Sequence, residues 1–582
     1  MKDQSLARQI QRRGRWLLTL VAAVEVGTAA YVALFGGFFV MFGPLRVSAG
    51  DPVRPFVLGG VSACAAMVLH DGHARDTTWN WVGRWSSALA VAAAIATLAG
   101  ALVLGATAAG ASDMYGYVSQ AVFLAGGHVR IAEPLAVIDP AIAAAASPLG
   151  YRLSGPDSIA PIYSPGLPLL MVPFYFLGGE RGVYYVVPIL GAIAVWLTFV
   201  LGRRTWDGRV GCLAAASLAC SPVFLHQLFL PMSDVPVTAL WLAALVWALS
   251  DGERAPLLAG LASAVALLIR PNLVPVAAGV AALIWLERRR LSSLAAFGLG
   301  LLPAPIAIGV LYSSLYGSAV SSGYGSLATL FRVEWLTSNV ADYSRRLVET
   351  QSMVMVLAPV ALAIRPSARM FALAVFCLLV CACYAFYVPF EGWHYLRFLL
   401  PAIPVFLIMT AGVVVWSINR LAEAWRGATY GAVCGMMMIT YLPNAQLHGA
   451  FHVGKDQRRY LSVGTFLGRH LPTNALVLAG LHSGSVRLYG HRPTLLWTQL
   501  ASTDLDRSAA LLTAKGYALY VLLEPDEERD FRRWFASSSS LGALDWGPEY
   551  EYMGHPGARV YALKRDASVT AGAAVPTVIP ES

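Results

Sequence analysis

The chain has 582 residues, of which 57% are hydrophobic and only 13% charged, with a formal net charge of +9. Soluble globular domains carry about a quarter charged residues, so the composition excludes an ordinary soluble protein and points to a polytopic membrane protein. The basic balance is nearly all arginine, with lysine only at Lys2, Lys455, Lys515 and Lys564. These arginines gather at the ends of apolar runs, as topology signals do, and not along a nucleic-acid-binding stripe.

Apolar runs fall near 16–42, 56–70, 86–110, 183–201, 210–230, 233–250, 257–269, 272–286, 294–315, 352–364, 370–389, 398–418 and 427–443, giving about thirteen spans. The first run is too long for a signal peptide and follows Arg12, Arg13 and Arg15, so it reads as a retained anchor with a cytoplasmic N-terminus. Pro231 to Asp234 and Arg270-Pro271-Asn272 carry helix-ending residues, and each is expected to divide two short helices. The cysteines, Cys64, Cys212, Cys220, Cys377, Cys381, Cys383 and Cys434, all lie inside apolar runs and are expected to pack as small apolar residues.

Basic residues are densest at 1–15, Arg203/Arg204/Arg209, Arg288/Arg289/Arg290, Arg365/Arg369 and Arg420/Arg426. With these inside, the long loop 111–182, the loop 312–351, the segment 391–397 and everything after the last span face outward. Residues 444–566 read as a separate extracytoplasmic α/β unit. Its helices 456–470, 505–515 and 527–535 alternate with strands 475–479, 518–523 and 559–563. Residues 567–582, small and poor in aromatics, are expected to be a disordered tail.

Candidate chemistry collects in the outward segments. Asp113 opens the 111–182 loop, and a carboxylate at a membrane boundary is costly to hold there without a task. It could act as a general base for an attacking hydroxyl, with Tyr115 and Tyr117 beside it, or Ser112 or Asp113 could simply cap a helix. Tyr163-Ser164-Pro165-Gly166 is a turn into apolar sequence. Glu133, Asp139 and Asp157 between them read as solvated loop acids. Asp234, in Ser233-Asp234-Val235-Pro236, is either a helix cap or a second carboxylate at the same face. Arg270 and Arg397 offer guanidinium groups that could hold a departing phosphate bidentately, or merely snorkel to the interface. His394 shares a helical face with Arg397.

As an ordered set, these motifs resemble the GT-C superfamily of polyprenyl-phosphate-sugar-dependent glycosyltransferases. The nearest branch is bacterial and includes protein O-mannosyltransferases and lipid A aminoarabinose transferases. The residues that carry the resemblance are Asp113-Met114-Tyr115-Gly116-Tyr117, the string Tyr163 to Leu170, Ser221-Pro222 with Ser233 to Pro236, and His394-Tyr395-Leu396-Arg397-Phe398 with Pro401 and Pro404. The fold expected is an α-helical polytopic membrane protein, GT-C-like with about 13 transmembrane helices, carrying a small C-terminal α/β soluble domain. Residues 1–85 would be extra helices and 86–443 the catalytic module.

The resemblance implies transfer of a sugar from a polyprenyl-phosphate donor to an acceptor hydroxyl of a protein, lipid or glycan, at the outer face of a bacterial inner membrane. It implies inversion, with Asp113 as base, a leaving phosphate held by Arg397 or Arg270, and donor contacts from His394, Asp234, Tyr115, Tyr117 and Tyr163. Inversion places base and phosphate clamp on opposite sides of the sugar carbon. A divalent cation, Mg or Mn, accompanies some such sites, but the second acid that often follows the first is Met114 here. Two other readings stay open: a flippase of lipid-linked sugars, which would explain the broken helices, and a non-catalytic assembly protein on the same fold.

Overall fold

A computed structural model describes residues 2–35, 37–42, 45–50, 53–68, 72–563 and 576–581. The N-terminal part is α1 (Lys2–Phe35), a hairpin of β1 (Phe38–Phe42) and β2 (Leu45–Ala49), and α2 (Val53–Val68). The expected span 16–42 therefore ends early. Gly37 disfavours helix, and the following Phe-Phe-Val-Met-Phe favours strand. The next helix, α3 (Gly72–Leu104), starts well before residue 86, so the expected boundary at 85 falls inside a continuous helix.

The 111–182 loop then contributes α4 (Asp113–Ala125), β3 (Ile131–Ala132), α5 (Pro140–Ala145), β4 (Tyr151–Leu153) and β5 (Ser158–Pro161). The strands form a small sheet in the order β3-β5-β4. The chain re-enters apolar sequence at α6 (Gly166–Gly182). A Cβ at Gly166 would lie 2.3 Å from the Ile269 backbone nitrogen, so only glycine permits this close approach.

A bundle follows: α7 (Val186–Thr205), α8 (Gly208–Cys220), α9 (Pro222–Leu228), α10 (Asp234–Ala248), α11 (Ala255–Ile269), α12 (Val274–Arg288), α13 (Leu291–Leu301) and α14 (Pro303–Tyr316). Its core includes Phe199, Leu218, Phe224, Trp241, Leu267 and Phe376, all buried. The Asp207 carboxylate caps α8 by accepting from the Arg209 and Val210 amides, an arrangement worth about 1 kcal/mol. The two expected breaks are present: Pro231 to Ser233 separates α9 from α10, and Arg270 with the Pro271–Leu273 turn separates α11 from α12.

Among the described residues, four helical segments are long and apolar enough to cross a membrane: Thr78–Leu104, Gly166–Thr205, Leu291–Tyr316 and Ala368–Ala385. Counting each sharply bent pair as one span raises the number to seven. Other apolar runs fold as shorter helices. Helices α10, α11 and α12 have 15 residues each, about 22 Å at 1.5 Å per residue, against a hydrocarbon core of about 30 Å. Bends of 60° at Ser221-Pro222 and 86° between Trp393–Leu399 and Ile403–Ile418 break two further runs, each beside a proline.

The C-terminal unit is a six-stranded sheet in the order β11-β9-β10-β8-β6-β7. Strands β6 (Ala475–Ala479), β7 (Thr494–Leu496) and β8 (Ala518–Leu523) are parallel, with Val477 opposite Tyr520. Strand β9 (Tyr550–Tyr552) and β10 (Ala558–Ala562) extend it antiparallel, and β11 (Thr577–Ile579) pairs parallel with β9. The expected tail thus contains an edge strand, formed by its β-branched Thr-Val-Ile. Residues 567–575 lie outside the described residues.

Nor is this unit separate. Leu135, Ile142 and Ala145 of the outer loop pack into its core beside Leu476, Val521 and Phe531. Glu133, expected to be solvated, is 3% exposed and paired with Arg487, while Asp139 caps α5 and pairs with Arg507. The buried Glu133 carboxylate is compensated by the largely buried Arg487 across the interface, whereas Arg507 beside Asp139 stays mostly exposed.

Candidate active site

Four helix ends meet and bring together four charged side chains. Asp113 is the first residue of α4 and Asp234 the first of α10. Arg270 follows the end of α11, and Arg397 lies in the Trp393–Leu399 turn before the helix Ile403–Ile418. In both Ser-Asp pairs the preceding serine occupies the cap position without a side-chain cap bond. The capping alternative therefore fails at both positions, and the carboxylates turn to guanidinium groups distant in sequence.

Arg397 Nη2 lies 2.8 Å from Asp113 Oδ2, and Arg270 Nη2 lies 2.6 Å from Asp234 Oδ1. Arg397 Nη1 is also 4.0 Å from Asp234 Oδ2, so the two pairs form one quartet with zero net charge. A hydrogen-bonded frame holds it. Tyr163 donates to Asp113 Oδ1 at 2.8 Å, with Ser112 Oγ 2.6 Å from the same phenol oxygen. Ser233 Oγ accepts from Tyr117 at 3.0 Å and from Arg270 Nε at 3.2 Å, and Arg270 Nη1 donates to Tyr384 at 3.0 Å. Phe398 lies 5.3 Å from both guanidinium carbons, and Tyr395 stacks on Arg397 at 5.1 Å.

The two carboxylates differ in access. The Asp234 side chain is fully buried, whereas that of Asp113 is 33% exposed. Burial alone would raise the Asp113 carboxyl. The Arg397 charge and hydrogen bond, the Tyr163 hydroxyl and the more distant Arg270 together hold it below the ordinary aspartate value. Burial pushes the Tyr163 hydroxyl well above the usual tyrosine range, so it stays a neutral donor. Two polar atoms inside the quartet, Asp234 Oδ2 and Arg397 Nε, are buried without a hydrogen-bond partner among the described residues.

Of the eight side chains expected at the site, six converge in this network: Asp113, Asp234, Arg270, Arg397, Tyr117 and Tyr163. His394 stands beside it, its ring 5.8 Å from His226 and 4.5 Å from Tyr395. Tyr115 points elsewhere and packs on Tyr151 at 5.5 Å and on Gly484 of the C-terminal unit. Asp113 and Arg397, expected to flank a sugar carbon, lie 2.8 Å apart, so a donor seated between them has to part the pair. They are in direct contact, because a part-buried carboxylate and a guanidinium within reach pair when no third charge separates them. Sequence reading gave no site role to Ser112, Tyr384 or Phe398. Tyr384 was the detectable one, a hydroxyl at the end of the apolar run 370–389.

At the opposite end of α10, α11 and α12 lie the basic groups read as topology signals. Arg204 Nη1 is 2.6 Å from Ser250 Oγ, Arg288 Nη2 is 2.8 Å from the Gly252 carbonyl, and Arg369 holds Glu287 bidentately. The quartet and these arginines mark the two ends of the bundle.

The model of the Dolichyl-phosphate-mannose-protein mannosyltransferase family matches residues 165–312, from the start of α6 into α14, a stretch that contains Asp234 and Arg270. Among solved structures, ArnT from Cupriavidus metallidurans bound to undecaprenyl phosphate is similar at 14% identity. The match covers 84% of this chain and 99% of that one, with a TM-score of 0.52. The Archaeoglobus fulgidus oligosaccharyltransferase tethered to an acceptor peptide is similar at 12% identity, covering 84% of this chain and 75% of that one, with a TM-score of 0.51. The chain has the GT-C fold. No curated protein matches it by sequence.

This charged quartet does not suit a divalent cation. Each of its two carboxylates already faces a guanidinium, and among the described residues no three His, Cys, Asp or Glu side chains come together as metal ligands.

Proposed function

We propose that the protein is an integral-membrane glycosyltransferase. It moves a sugar from a polyprenyl-phosphate donor to an acceptor hydroxyl at the extracytoplasmic face, with inversion at the anomeric carbon. The observation that carries this reading is the quartet of Asp113, Arg397, Asp234 and Arg270 at one end of a GT-C bundle. One of its carboxylates is open to a ligand and the other is sealed.

In this account Asp113 is the base and Asp234 is not, because only Asp113 reaches exposed space. Asp234 fixes Arg270 and leans on Arg397. When the donor arrives, its phosphate competes with Asp113 for Arg397, whose buried Nε is an unused donor. Losing Arg397 removes the charge that held the Asp113 carboxyl low, so its basicity rises as the sugar comes into place. The acceptor oxygen then attacks the anomeric carbon, the carbon–phosphate oxygen bond breaks, and the acceptor proton passes to Asp113. The departing phosphate keeps the electron pair and rests on Arg397. Arg270, locked to Asp234 and Tyr384, holds that side rigid. Tyr163 orients Asp113, Tyr117 donates to Ser233 and packs against the Tyr163 ring, and His394 borders the phosphate side.

The full-length protein in lipid nanodiscs, given undecaprenyl phosphate linked to a panel of hexoses and pentoses, tests the reading. Release of undecaprenyl phosphate with a matching sugar supports it. Two broken spans at the site also suit a carrier that moves lipid-linked sugar across the membrane. Movement of intact donor between leaflets without cleavage would favour that second reading.

A further inference from the structure

The C-terminal unit has the architecture of a ligand-binding α/β domain, yet its binding edge faces inward. Strand β6 lies between β7 and β8, so the chain leaves β6 to one side for β7 and crosses to the other for β8. In open α/β sheets, ligands sit beyond the strand C-termini at such a reversal. Here that edge carries Gly480 and His482 after β6 and Glu524 after β8. His482 Nε2 is 3.1 Å from Glu524 Oε1, which also accepts from Arg459 Nε at 2.8 Å, and the His482 ring lies 4.6 Å from Tyr460.

Tyr460 is buried against the segment that leads into Asp113. A Cβ at Gly110 would fall 2.0 Å from the Tyr460 ring. The fit is reciprocal: a Cβ at Gly484, in the helix Ser483–Gly490, would fall 2.2 Å from the Tyr115 ring. Each side thus supplies a tyrosine and a glycine that receives the other's ring. Between these contacts Tyr489 accepts the Ala109 amide proton at 2.8 Å, and Ser483 Oγ accepts that of Leu149 at 3.1 Å. Ala111, two residues before Asp113, has φ of 51°, a left-handed conformation that alanine keeps only where its surroundings hold it.

From this reciprocal packing we infer that the C-terminal domain is a positioning clamp. It uses the edge where α/β domains bind ligands to grip residues 109–116 and so set the orientation of Asp113. Tyr115 and Tyr460 are its positioning residues, and neither contacts substrate. Tyr115 and Asp113 lie two residues apart in one helix, so their side chains diverge, one toward the domain and the other toward Arg397. The inference rests on the assignment of Asp113 as base only for its consequence in catalysis. The grip itself is measurable without any transfer reaction.

The test uses the full-length protein in detergent, read by hydrogen–deuterium exchange over 109–125 and, separately, by donor cleavage. Gly484→Ala, tolerated by a helix backbone, is expected to raise exchange across 113–118 about tenfold or more. It should also lower kcat by a similar factor while leaving undecaprenyl phosphate binding unchanged. Adding Tyr115→Leu, which makes room for the new methyl, should recover most of both, and Tyr115→Phe alone should keep both. The pair Gly110→Ala and Tyr460→Leu should behave alike. Unchanged exchange in Gly484→Ala, a loss that Tyr115→Leu does not relieve, or loss of cleavage in Tyr115→Phe would overturn the clamp. If wild type cleaves no donor but the exchange pattern holds, the clamp stands and the transfer reading falls.

Discussion

Arg397 reaches across 284 residues of sequence to place Nη2 2.8 Å from Oδ2 of Asp113. The proposed base and the proposed phosphate clamp are therefore partners before substrate arrives, and under that proposal one must release the other. Arg397→Lys keeps the charge but loses the planar fork that can address carboxylate and phosphate together. We expect kcat to fall about 10- to 100-fold and the donor KM to rise in that variant, measured as undecaprenyl phosphate release. An unchanged donor KM would separate Arg397 from phosphate binding.

The same pairing sets a pH dependence. In the resting protein the Asp113 carboxyl is held below its ordinary value of about 3.9. Its contribution to stability is fully present above that value and is lost as pH falls through the lowered one. Glu524, Glu528 and Asp506 are held low as well and titrate in the same region, so the informative quantity is a difference. Relative to wild type, Asp113→Asn should lose less stability between about pH 5 and 2 in thermal melts. Identical acid limbs in the two proteins would contradict the pairing.

Asp234 and Arg270 make the opposite kind of pair, sealed and structural. Removing one partner leaves the other charge buried, which costs about 3–5 kcal/mol. Asp234→Asn should therefore lower the melting temperature of the purified protein markedly. The combined Asp234→Leu and Arg270→Met variant should melt higher than Asp234→Asn, because no lone charge remains. A melting temperature unchanged in Asp234→Asn would show that the buried pair is not held as described.

A carboxylate pair saturated by arginines leaves no donor set for a divalent cation. Donor cleavage is accordingly expected to persist after dialysis against EDTA, with less than a twofold change. Loss that Mg²⁺ or Mn²⁺ restores would require ligands outside this quartet.

The charged half of the site was legible because charge in so apolar a chain is expensive. Asp113, Asp234, Arg270 and Arg397 each stood out at the end of an apolar run, and all four meet. Their partnership was not legible: each Ser-Asp pair reads equally as a helix cap, and only the fold brings an arginine within reach. Tyr115 was misplaced although helical spacing already separated it from Tyr117. Residues 113 and 117 share a face at i and i+4, while 115 faces away. The α/β strands Ala475–Ala479 and Ala518–Leu523 were readable as fully apolar runs, but their union with Leu135 and Ile142 of a distant loop carried no local pattern. The bends at Ser221-Pro222 and before Ile403 were not legible, since hydropathy registers apolar length and not direction.

The central claim is that the part-exposed carboxylate at position 113 removes the acceptor proton. Its most direct measurement is donor cleavage by Asp113→Asn in nanodiscs, with undecaprenyl phosphate binding measured on the same sample. Loss of about 10²- to 10⁴-fold in kcat, the usual contribution of a general base, with binding retained, is the predicted result. Cleavage at the wild-type rate by Asp113→Asn would contradict the account.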